Sequence, residues 1–410
     1  MASSHRCGEW GRALRMLLAT LGSRGDVEPF VWLARAAQDA GHQVRVALPV
    51  SGDVDTRGVD AVGLGISFAD LAETLGGDAR AAMRSYRERI RPAMIRALAE
   101  AARLAVDWQP DVIVAHPKVL TAPVAASRLG IPWFVAELTP TVTPTSEFPA
   151  AGFAARSWGP WMNRLSYRVV GLAGAMFSSE VTKARRVHGV SGRLPAPVGT
   201  LAALSPTLVP RPADWPVSTL MTGDWHGPAC QVDPAGPLAE FLADPAPVLY
   251  AGFGSMTGGD AAARADAILR GARPLGLRVL FVTGWGGLDP SGIADADDML
   301  VAGSVPLDAV VPRAVAAVHH GGAGTVHATT RAGTPSIVVP FFGDQPFWAA
   351  QLQRTGLAGP ALDRNRLDPH RVTAAITTAL RHADRVRQAA HQMQFENGTQ
   401  AALTHLTKAT

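Results

Sequence analysis

Short runs of consecutive apolar residues alternate with longer amphipathic segments along most of this chain. The clearest unit is an apolar run at 15–20, a helical pattern at 27–40 and a second apolar run at 43–48. Fully apolar runs bounded by turn residues are typical of strands buried on both faces, and a strand–helix–strand unit makes its strands parallel. Further apolar runs lie at 112–115, 132–136, 248–255, 277–284, 314–318 and 336–340. The pattern predicts an α/β fold with two parallel-sheet domains that face each other.

The length of 410 residues is too great for one compact core, so two domains of roughly 200 residues are expected. A proline-rich segment without periodicity follows residue 205, and we predict the interdomain linker at 206–216. The N-terminal domain is then 15–205 and the C-terminal domain 217–390. Residues 1–14 are predicted to be a disordered leader, and 391–410 a helix that packs back on the N-terminal domain.

Composition excludes several functional classes. Apolar residues make up 47% and charged residues 18%, and the net charge of +4 is scattered, which argues against nucleic-acid binding. Cys7 and Cys230 are the only cysteines and support neither a disulfide framework nor a zinc site. No apolar stretch is long enough to span a bilayer, and the first residues lack the apolar centre of a signal peptide, so a cytoplasmic location is expected. A basic run on a predicted helix is either a solvated face or a contact to an anionic membrane: Arg84, Arg87, Arg89, Arg91 and Arg96.

The run His319 to Thr325 follows the apolar run 314–318 and is rich in glycine. A strand that leads through such a turn into a helix leaves the first N–H groups of the helix unpaired, at the positive end of its dipole. Such a helix end favours a phosphate. The candidate contacts are His320, Gly322, Ala323, Gly324 and Thr325.

Asp344 and Gln345 follow the apolar run 336–340. Ligands of open α/β sheets bind at the carboxyl ends of the strands, where this carboxylate and this amide are expected. The two side chains suit the hydroxyl groups of a polyol. A phosphate site beside a polyol site predicts a nucleotide sugar as the ligand.

Two segments resemble a known family. The run from Val318 to Gln351, which contains Pro-Phe-Phe-Gly-Asp-Gln-Pro-Phe-Trp at 340–348, is similar to the donor-binding signature of the large glycosyltransferase family of sterol, plant natural-product and antibiotic glucosyltransferases. Gly-Ser-Arg-Gly-Asp-Val-Glu-Pro at 22–29 is similar to the first loop of the sterol and antibiotic branches. The resemblance implies the GT-B fold, in which two Rossmann-like parallel-sheet domains face each other across a cleft that holds the active site. The N-terminal domain would bind the acceptor and the C-terminal domain the nucleotide sugar.

The resemblance also implies roles for individual residues. His320 would contact the β-phosphate while His319 is packed away, and Asp344 and Gln345 would read glucose-like hydroxyls. Ser304 and Val305 lie where the family contacts the base of the nucleotide through the backbone. Ser255 ends a Gly-Phe-Gly-Ser turn that is either a second phosphate contact or only a tight turn.

Asp26 is the candidate catalytic base, because glycosyl transfer to an alcohol requires removal of the hydroxyl proton. Position alone favours a helix cap, whereas the resemblance favours the base. Its loop contains no histidine, so whether Asp26 acts alone or through water stays open. Ser23 and Arg24 in the same loop either face the donor or are solvated turn residues.

The acceptor side is the least defined by the sequence. Aromatic residues in an irregular segment either line an apolar acceptor pocket or pack in the core of their domain: Phe148, Phe153, Trp158 and Trp161.

The reaction we expect is inverting, metal-independent transfer of glucose from UDP-glucose to a hydroxyl of a lipophilic acceptor, with no cofactor beyond the nucleotide sugar. An antibiotic-tailoring enzyme that uses a dTDP-deoxysugar, or a noncatalytic nucleotide-sugar-binding helper protein, are the alternatives. The sequence leaves the oligomeric state and the identity of the acceptor open.

Overall fold

The computed structural model describes residues 12–50, 54–68, 84–153, 156–228, 236–256, 259–284, 286–293 and 297–410. Residues 1–11, which make up most of the predicted leader, and both cysteines lie outside these ranges.

The first sheet contains seven parallel strands in the order β3-β2-β1-β4-β5-β6-β7. They are β1 (Arg15–Ala19), β2 (Gln43–Leu48), β3 (Asp60–Gly63), β4 (Val112–Ala115), β5 (Trp133–Glu137), β6 (Gly199–Ala202) and β7 (Thr219–Met221). The described helices of this part are α1 (Arg24–Asp39), α2 (Arg91–Trp108), α3 (Ala122–Leu129), α4 (Pro160–Ala175) and α5 (Ser178–Val187), and a π-helical turn, Tyr86–Ile90, leads into α2.

Strand β1 shows why this sheet forms. Met16 and Leu18 are buried in one hydrophobic core and Leu17 in another, because successive side chains of a strand point to opposite faces. Helix α1 covers the first face with Val27 and Phe30. Both faces are therefore apolar, as parallel sheets require.

The second sheet contains five parallel strands in the order β10-β9-β8-β11-β12. They are β8 (Val248–Gly252), β9 (Arg278–Val282), β10 (Met299–Ala302), β11 (Ala314–His319) and β12 (Ser336–Val338). The described helices are α6 (Pro237–Ala243), α7 (Ala261–Ala272), α8 (Leu307–Val310), α9 (Ala323–Arg331), α10 (Gln345–Thr355), α11 (Pro369–Arg381), α12 (Ala383–Met393) and α13 (Gly398–Lys408), with 3₁₀ turns at Arg273–Leu275 and Val311–Arg313. The two sheets confirm the predicted α/β class.

The boundary between the domains differs from the linker predicted at 206–216. Strand β7 follows that segment and still pairs with β6 in the first sheet, so the chain crosses to the second sheet after Met221. Leu208 and Trp215 of the predicted linker are buried beside Trp348 of the second domain. Its proline content and lack of periodicity suggested an extended linker, but the segment packs between the domains.

The chain returns to the first domain at its C-terminal end. Leu403 and Leu406 of helix α13 are buried in the same core as Met16 and Phe30. No helix in the described parts of the chain is both long and apolar enough to cross a membrane.

Candidate active site

The carboxyl ends of the two sheets face each other across a cleft. The hydroxyl of Thr139, just after β5, donates to Asp344 Oδ2 of the second domain over 3.3 Å. A side chain built on Gly152 would meet the backbone of Gly343 at 3.7 Å. The loops that follow the strands of both sheets therefore share one site, as expected for α/β sheets.

Asp26 is the third residue of α1, and its two carboxylate oxygens have different partners. Oδ2 accepts the backbone N–H of Ser23 at 2.9 Å and so caps the helix. Gly22 has a φ of +147°, and a Cβ there would lie 1.9 Å from Asp26 Oδ2, so only glycine fits. The cap and a chemical role are compatible, because the cap occupies only one oxygen.

The other oxygen, Asp26 Oδ1, contacts two residues of the loop after β4. His116 Nε2 lies 3.2 Å away and Lys118 Nζ lies 3.0 Å away. His116 Nδ1 accepts the backbone N–H of Lys118 at 3.1 Å, so in the neutral imidazole Nε2 carries the hydrogen that faces Asp26. Sequence reasoning missed both residues. The signal in the sequence was their position just after the predicted strand at 112–115. The pairing of β4 with β1 then brings them to Asp26.

These neighbours set the charge of the site. Burial raises the pKa of Asp26, but the Lys118 charge and the hydrogen bonds from His116 and Lys118 outweigh burial, so the pKa lies well below its usual range. Burial lowers the pKa of His116 against the opposing pull of Asp26. At neutral pH the site therefore holds an ionised Asp26 and a neutral His116.

The second half of the site is the start of helix α9. Gly321 has a φ of +86°, and a Cβ there would lie 2.6 Å from Val338 Cγ1. A Cβ on Gly322 would lie 2.4 Å from His320 Nε2. Helix α9 begins at Ala323 without a side-chain cap, so its first N–H groups, including those of Gly324 and Thr325, are available to an anion.

The two adjacent histidines have different surroundings. His319 is fully buried, and its Nδ1 accepts the N–H of Gly321 at 3.1 Å. His320 lies beside the β8 loop that carries Ser255, since a Cβ on Gly254 would be 3.3 Å from its Cε1. Burial lowers the pKa of His320 to about 4, and its Nδ1 has no hydrogen-bond partner within the described residues. A neutral imidazole with a buried, unpaired Nδ1 thus lies next to the glycine-rich turn.

Asp344 lies across the cleft from Asp26. Its Oδ2 accepts Trp348 Nε1–H at 3.0 Å in addition to the hydroxyl of Thr139. Burial raises the pKa of Asp344, and the negative charge of Asp26 raises it further. The charge of Asp26 therefore acts on Asp344 through the site.

The structure corrects the role predicted for Gln345. Its Oε1 accepts the backbone N–H groups of Phe341 and Phe342 at 2.6 and 3.2 Å. Its Nε2 lies 2.9 Å from Met256 Sδ. The amide oxygen is thus occupied by the backbone of its own loop, so Gln345 fixes the backbone that presents Asp344.

The remaining predicted donor contacts border the cleft. Arg24 pairs with Glu28 at 3.0 Å. Its positive charge also acts on Tyr250 of the second domain: burial raises the pKa of Tyr250 to about 12, and the Arg24 charge opposes that rise. Ser304 is exposed in the loop after β10, whereas the side chain of Val305 is buried in the core, which leaves its backbone for a ligand. Ser23 and Ser255 are partly exposed.

The four aromatic residues that were predicted to line an acceptor pocket or to pack in a core have different surroundings. Phe148 is only 7% exposed and packs edge to face on Phe347 of the second domain, with ring centroids 5.4 Å apart, so it belongs to the interdomain core. Phe153 packs on Trp158 at 5.4 Å. Trp158 and Trp161 are largely exposed near the start of helix α4.

The described residues contain no group of three histidine, cysteine or acidic side chains placed to hold a metal ion.

Solved structures define the fold of the protein. The glycosyltransferase of kitacinnamycin superposes with a TM-score of 0.72 at 21% identity, over 97% of this chain and 100% of the other. The glycosyltransferase SsfS6 of Streptomyces sp. SF2575, complexed with thymidine diphosphate, superposes with a TM-score of 0.63 at 21% identity over the same shares. The fold is therefore GT-B, the two-domain fold of glycosyltransferases.

Sequence comparisons then give the family. Residues 16–143 match the glycosyltransferase family 28 N-terminal domain, and residues 291–409 match the C-terminal domain of erythromycin biosynthesis protein CIII-like proteins. O-mycaminosyltylonolide 6-deoxyallosyltransferase of Streptomyces fradiae is 31% identical, over 95% of this chain and 96% of that protein. A sterol 3-beta-glucosyltransferase of Arabidopsis thaliana is 28% identical over 95% of this chain. The chain belongs to this family of sterol and antibiotic glycosyltransferases.

The sterol relatives are longer proteins. The chain spans 67% of that Arabidopsis enzyme, 64% of a second one and 26% of the enzyme of Debaryomyces hansenii.

Proposed function

We propose that the protein is an inverting glycosyltransferase that moves glucose from UDP-glucose to a hydroxyl of a lipophilic acceptor without a metal ion. The observation that carries this proposal is the ionised Asp26 carboxylate, held by His116 and Lys118, opposite Asp344 and the open end of helix α9.

Asp26 would serve as the base of the transfer. The acceptor hydroxyl donates to Asp26 Oδ1, and its oxygen attacks the anomeric carbon from the face opposite the phosphate. A carbon–oxygen bond forms as the bond to the diphosphate breaks, so the configuration inverts. Because the pKa of Asp26 is low, the proton moves late, when the attacking oxygen has become acidic. His116 and Lys118 orient the carboxylate and keep it ionised.

The nucleoside diphosphate gains a further negative charge on its leaving oxygen as the bond to the sugar breaks, and this charge needs stabilisation. The first N–H groups of α9 and the dipole of that helix lie at one side of the cleft. His320 and Ser255 come from adjacent loops and add donors. Fixed donors of this kind stabilise developing charge without reorganisation, which supports a mechanism that needs no metal.

Asp344 would hold the sugar. Its Oδ2 is bound by Trp348 and Thr139, so Oδ1 is the oxygen that can accept sugar hydroxyls. Glucose is the sugar that the sterol relatives carry in their names. Gln345 supports this site through the backbone of 341–342.

A second candidate donor, a dTDP-deoxysugar, has its own support. The deoxyallosyltransferase relative matches over nearly its whole length, whereas the chain covers much less of the sterol enzymes. A structural neighbour was crystallised with thymidine diphosphate. An antibiotic-tailoring reaction would use the same base and the same phosphate site.

The test is an incubation with UDP-glucose or dTDP-glucose in the presence of EDTA, with sterols, macrolides and flavonoids as acceptors and mass spectrometry as the readout. A hexose adduct formed from UDP-glucose is expected. Adducts from the thymidine donor alone would move the proposal to the second candidate. Adducts that require added Mg²⁺ would contradict the metal-independent mechanism.

A further inference from the structure

Helix α4 buries polar side chains and exposes apolar ones. Its buried residues are Asn163, Ser166 and Tyr167. Its exposed face carries large apolar side chains, with Trp161 73% and Leu172 65% exposed. A surface helix normally buries its apolar face, so this arrangement requires an explanation.

The exposed apolar residues form one continuous stripe. Trp161, Leu165, Val169, Leu172 and Met176 recur at intervals of three or four residues, which places them on one side of a helix. Val169, Leu172 and Met176 are all exposed, and Leu165 is partly exposed. We call these five residues the α4 stripe.

Hydrogen bonds on the opposite face fix the helix in this orientation. Asn163 Nδ2 donates to the carbonyl of Ser146 at 2.9 Å and to Ser157 Oγ at 2.8 Å. Ser166 Oγ accepts the N–H of Ala150 at 2.7 Å. Rolling the helix to bury the stripe would break these buried bonds. The described part of the domain therefore leaves the stripe exposed.

The segment that carries the stripe is positively charged. Segment 156–193 contains seven arginines and lysines and a single acidic residue, Glu180, and one of the seven, Arg164, pairs with Asp214 at 3.2 Å. Arg168 lies on the same side of α4 as the stripe, and Lys183 and Arg186 are exposed on helix α5, which follows directly. An apolar stripe that contains tryptophan and is bordered by cations complements an anionic bilayer surface.

We propose that the α4 stripe docks on the surface of an anionic lipid bilayer. Trp161, Leu172 and Met176 enter the interfacial region, while Arg168, Lys183 and the neighbouring cations contact the phosphate headgroups. The docking does not depend on the transfer reaction.

This location differs from the membrane contact weighed for the arginine run at 84–96. Arg84, Arg87, Arg89 and Arg96 are exposed, but no large apolar side chain is exposed among residues 84–108. The arginine run therefore offers positive charge but no exposed apolar side chains that could enter a bilayer, whereas α4 offers both.

The test is co-sedimentation of the full chain with vesicles of phosphatidylcholine alone or mixed with phosphatidylglycerol. The wild type is expected to bind the mixed vesicles, and Leu172→Ser with Met176→Ser lowers the partition coefficient about tenfold. The matched control, Val217→Ser with Phe395→Ser, removes equally exposed apolar side chains elsewhere and binds like the wild type. Arg168→Glu weakens binding, whereas Arg381→Glu on α11 does not. Equal melting temperatures of all variants exclude unfolding as the cause.

Wild-type protein that stays in the supernatant with mixed vesicles would overturn the proposal, as would equal binding of the stripe variant and its control. Light scattering tests the alternative that a second copy of the chain binds the stripe. In that case the wild type would form a concentration-dependent dimer, Leu172→Ser with Met176→Ser would abolish the dimer, and the monomer would not bind vesicles. That result would refute membrane docking.

Discussion

Lys118→Met should change the pH dependence of the transfer in a defined direction. The ammonium lies 3.0 Å from Asp26 Oδ1. At this separation two unit charges attract by about 1 kcal/mol in water and by about 6 kcal/mol near a protein surface. Lys118 is 46% exposed, so solvent screening places the value near the lower end. About 1.5 kcal/mol corresponds to about a tenfold rise in the proton affinity of Asp26 when the ammonium is removed.

The assay is the pH profile of kcat/KM. Protonated Asp26 cannot accept the acceptor proton, so the rate falls as the pH drops through the pKa of Asp26. Loss of the cation raises that pKa, and the acid limb should therefore move to higher pH. Lys118→Arg keeps the cation and should keep the limb of the wild type, as should Lys183→Met, which removes an exposed lysine far along the chain. An acid limb that Lys118→Met leaves in place would refute the assignment of Asp26 and Lys118 as a coupled pair.

Three further substitutions test other contacts. Thr139→Val removes a hydroxyl from Asp344 and should raise the donor KM about fivefold, whereas Thr139→Ser should not; equal KM values in initial-rate kinetics would contradict this. Phe148→Ala should lower the free energy of unfolding by about 3 kcal/mol in urea titrations, because the ring is buried between the domains. An unchanged stability with a raised acceptor KM would instead restore its acceptor role. Gly22→Ala should lower kcat more than tenfold, because its Cβ would displace the Asp26 carboxylate; an unchanged kcat would count against that geometry.

Eight of the twelve described strands and their direction could be predicted from the sequence, because buried parallel strands are nearly continuous apolar runs; β3, β6, β7 and β10 were missed. The run at 15–20 became β1 and that at 314–318 became β11, within one residue at most boundaries. The glycine-rich turn after β11 was equally readable, since the positive φ of Gly321 and the close approach of His320 to Gly322 leave no room for a side chain.

The partners of Asp26 could not be read in the same way. His116 and Lys118 lie some ninety residues further along the chain, and only the pairing of β1 with β4 brings their loop to the carboxylate. Strand order in a sheet depends on the packing of the helices that connect the strands, which apolar periodicity does not encode. The sequence showed that a loop follows each of the two strands, but not that the two loops lie side by side.

The role of a side chain was also hard to predict where its chemical type suits both ligand binding and packing within the protein. Aromatic residues line pockets and fill cores alike, and the burial of Phe148 against Phe347 depends on how the two domains meet. Gln345 can bind a sugar hydroxyl or its own backbone, and the turn at 341–345 brings two N–H groups to its oxygen. The predicted linker failed for a similar reason, because Leu208 and Trp215 find an apolar surface on the other domain.

Asp26→Asn is the most direct test of the central claim, that the Asp26 carboxylate removes the acceptor proton. The substitution keeps the size of the side chain and an oxygen that can cap α1, but it removes the base. With whichever donor the wild type uses, kcat should fall about a thousandfold. The donor dissociation constant, measured by calorimetry, should stay within about twofold. Asp39→Asn, an exposed aspartate near the end of the same helix, should behave like the wild type. An Asp26→Asn enzyme that retains most of its rate would show that another group accepts the proton, and the proposed mechanism would be wrong.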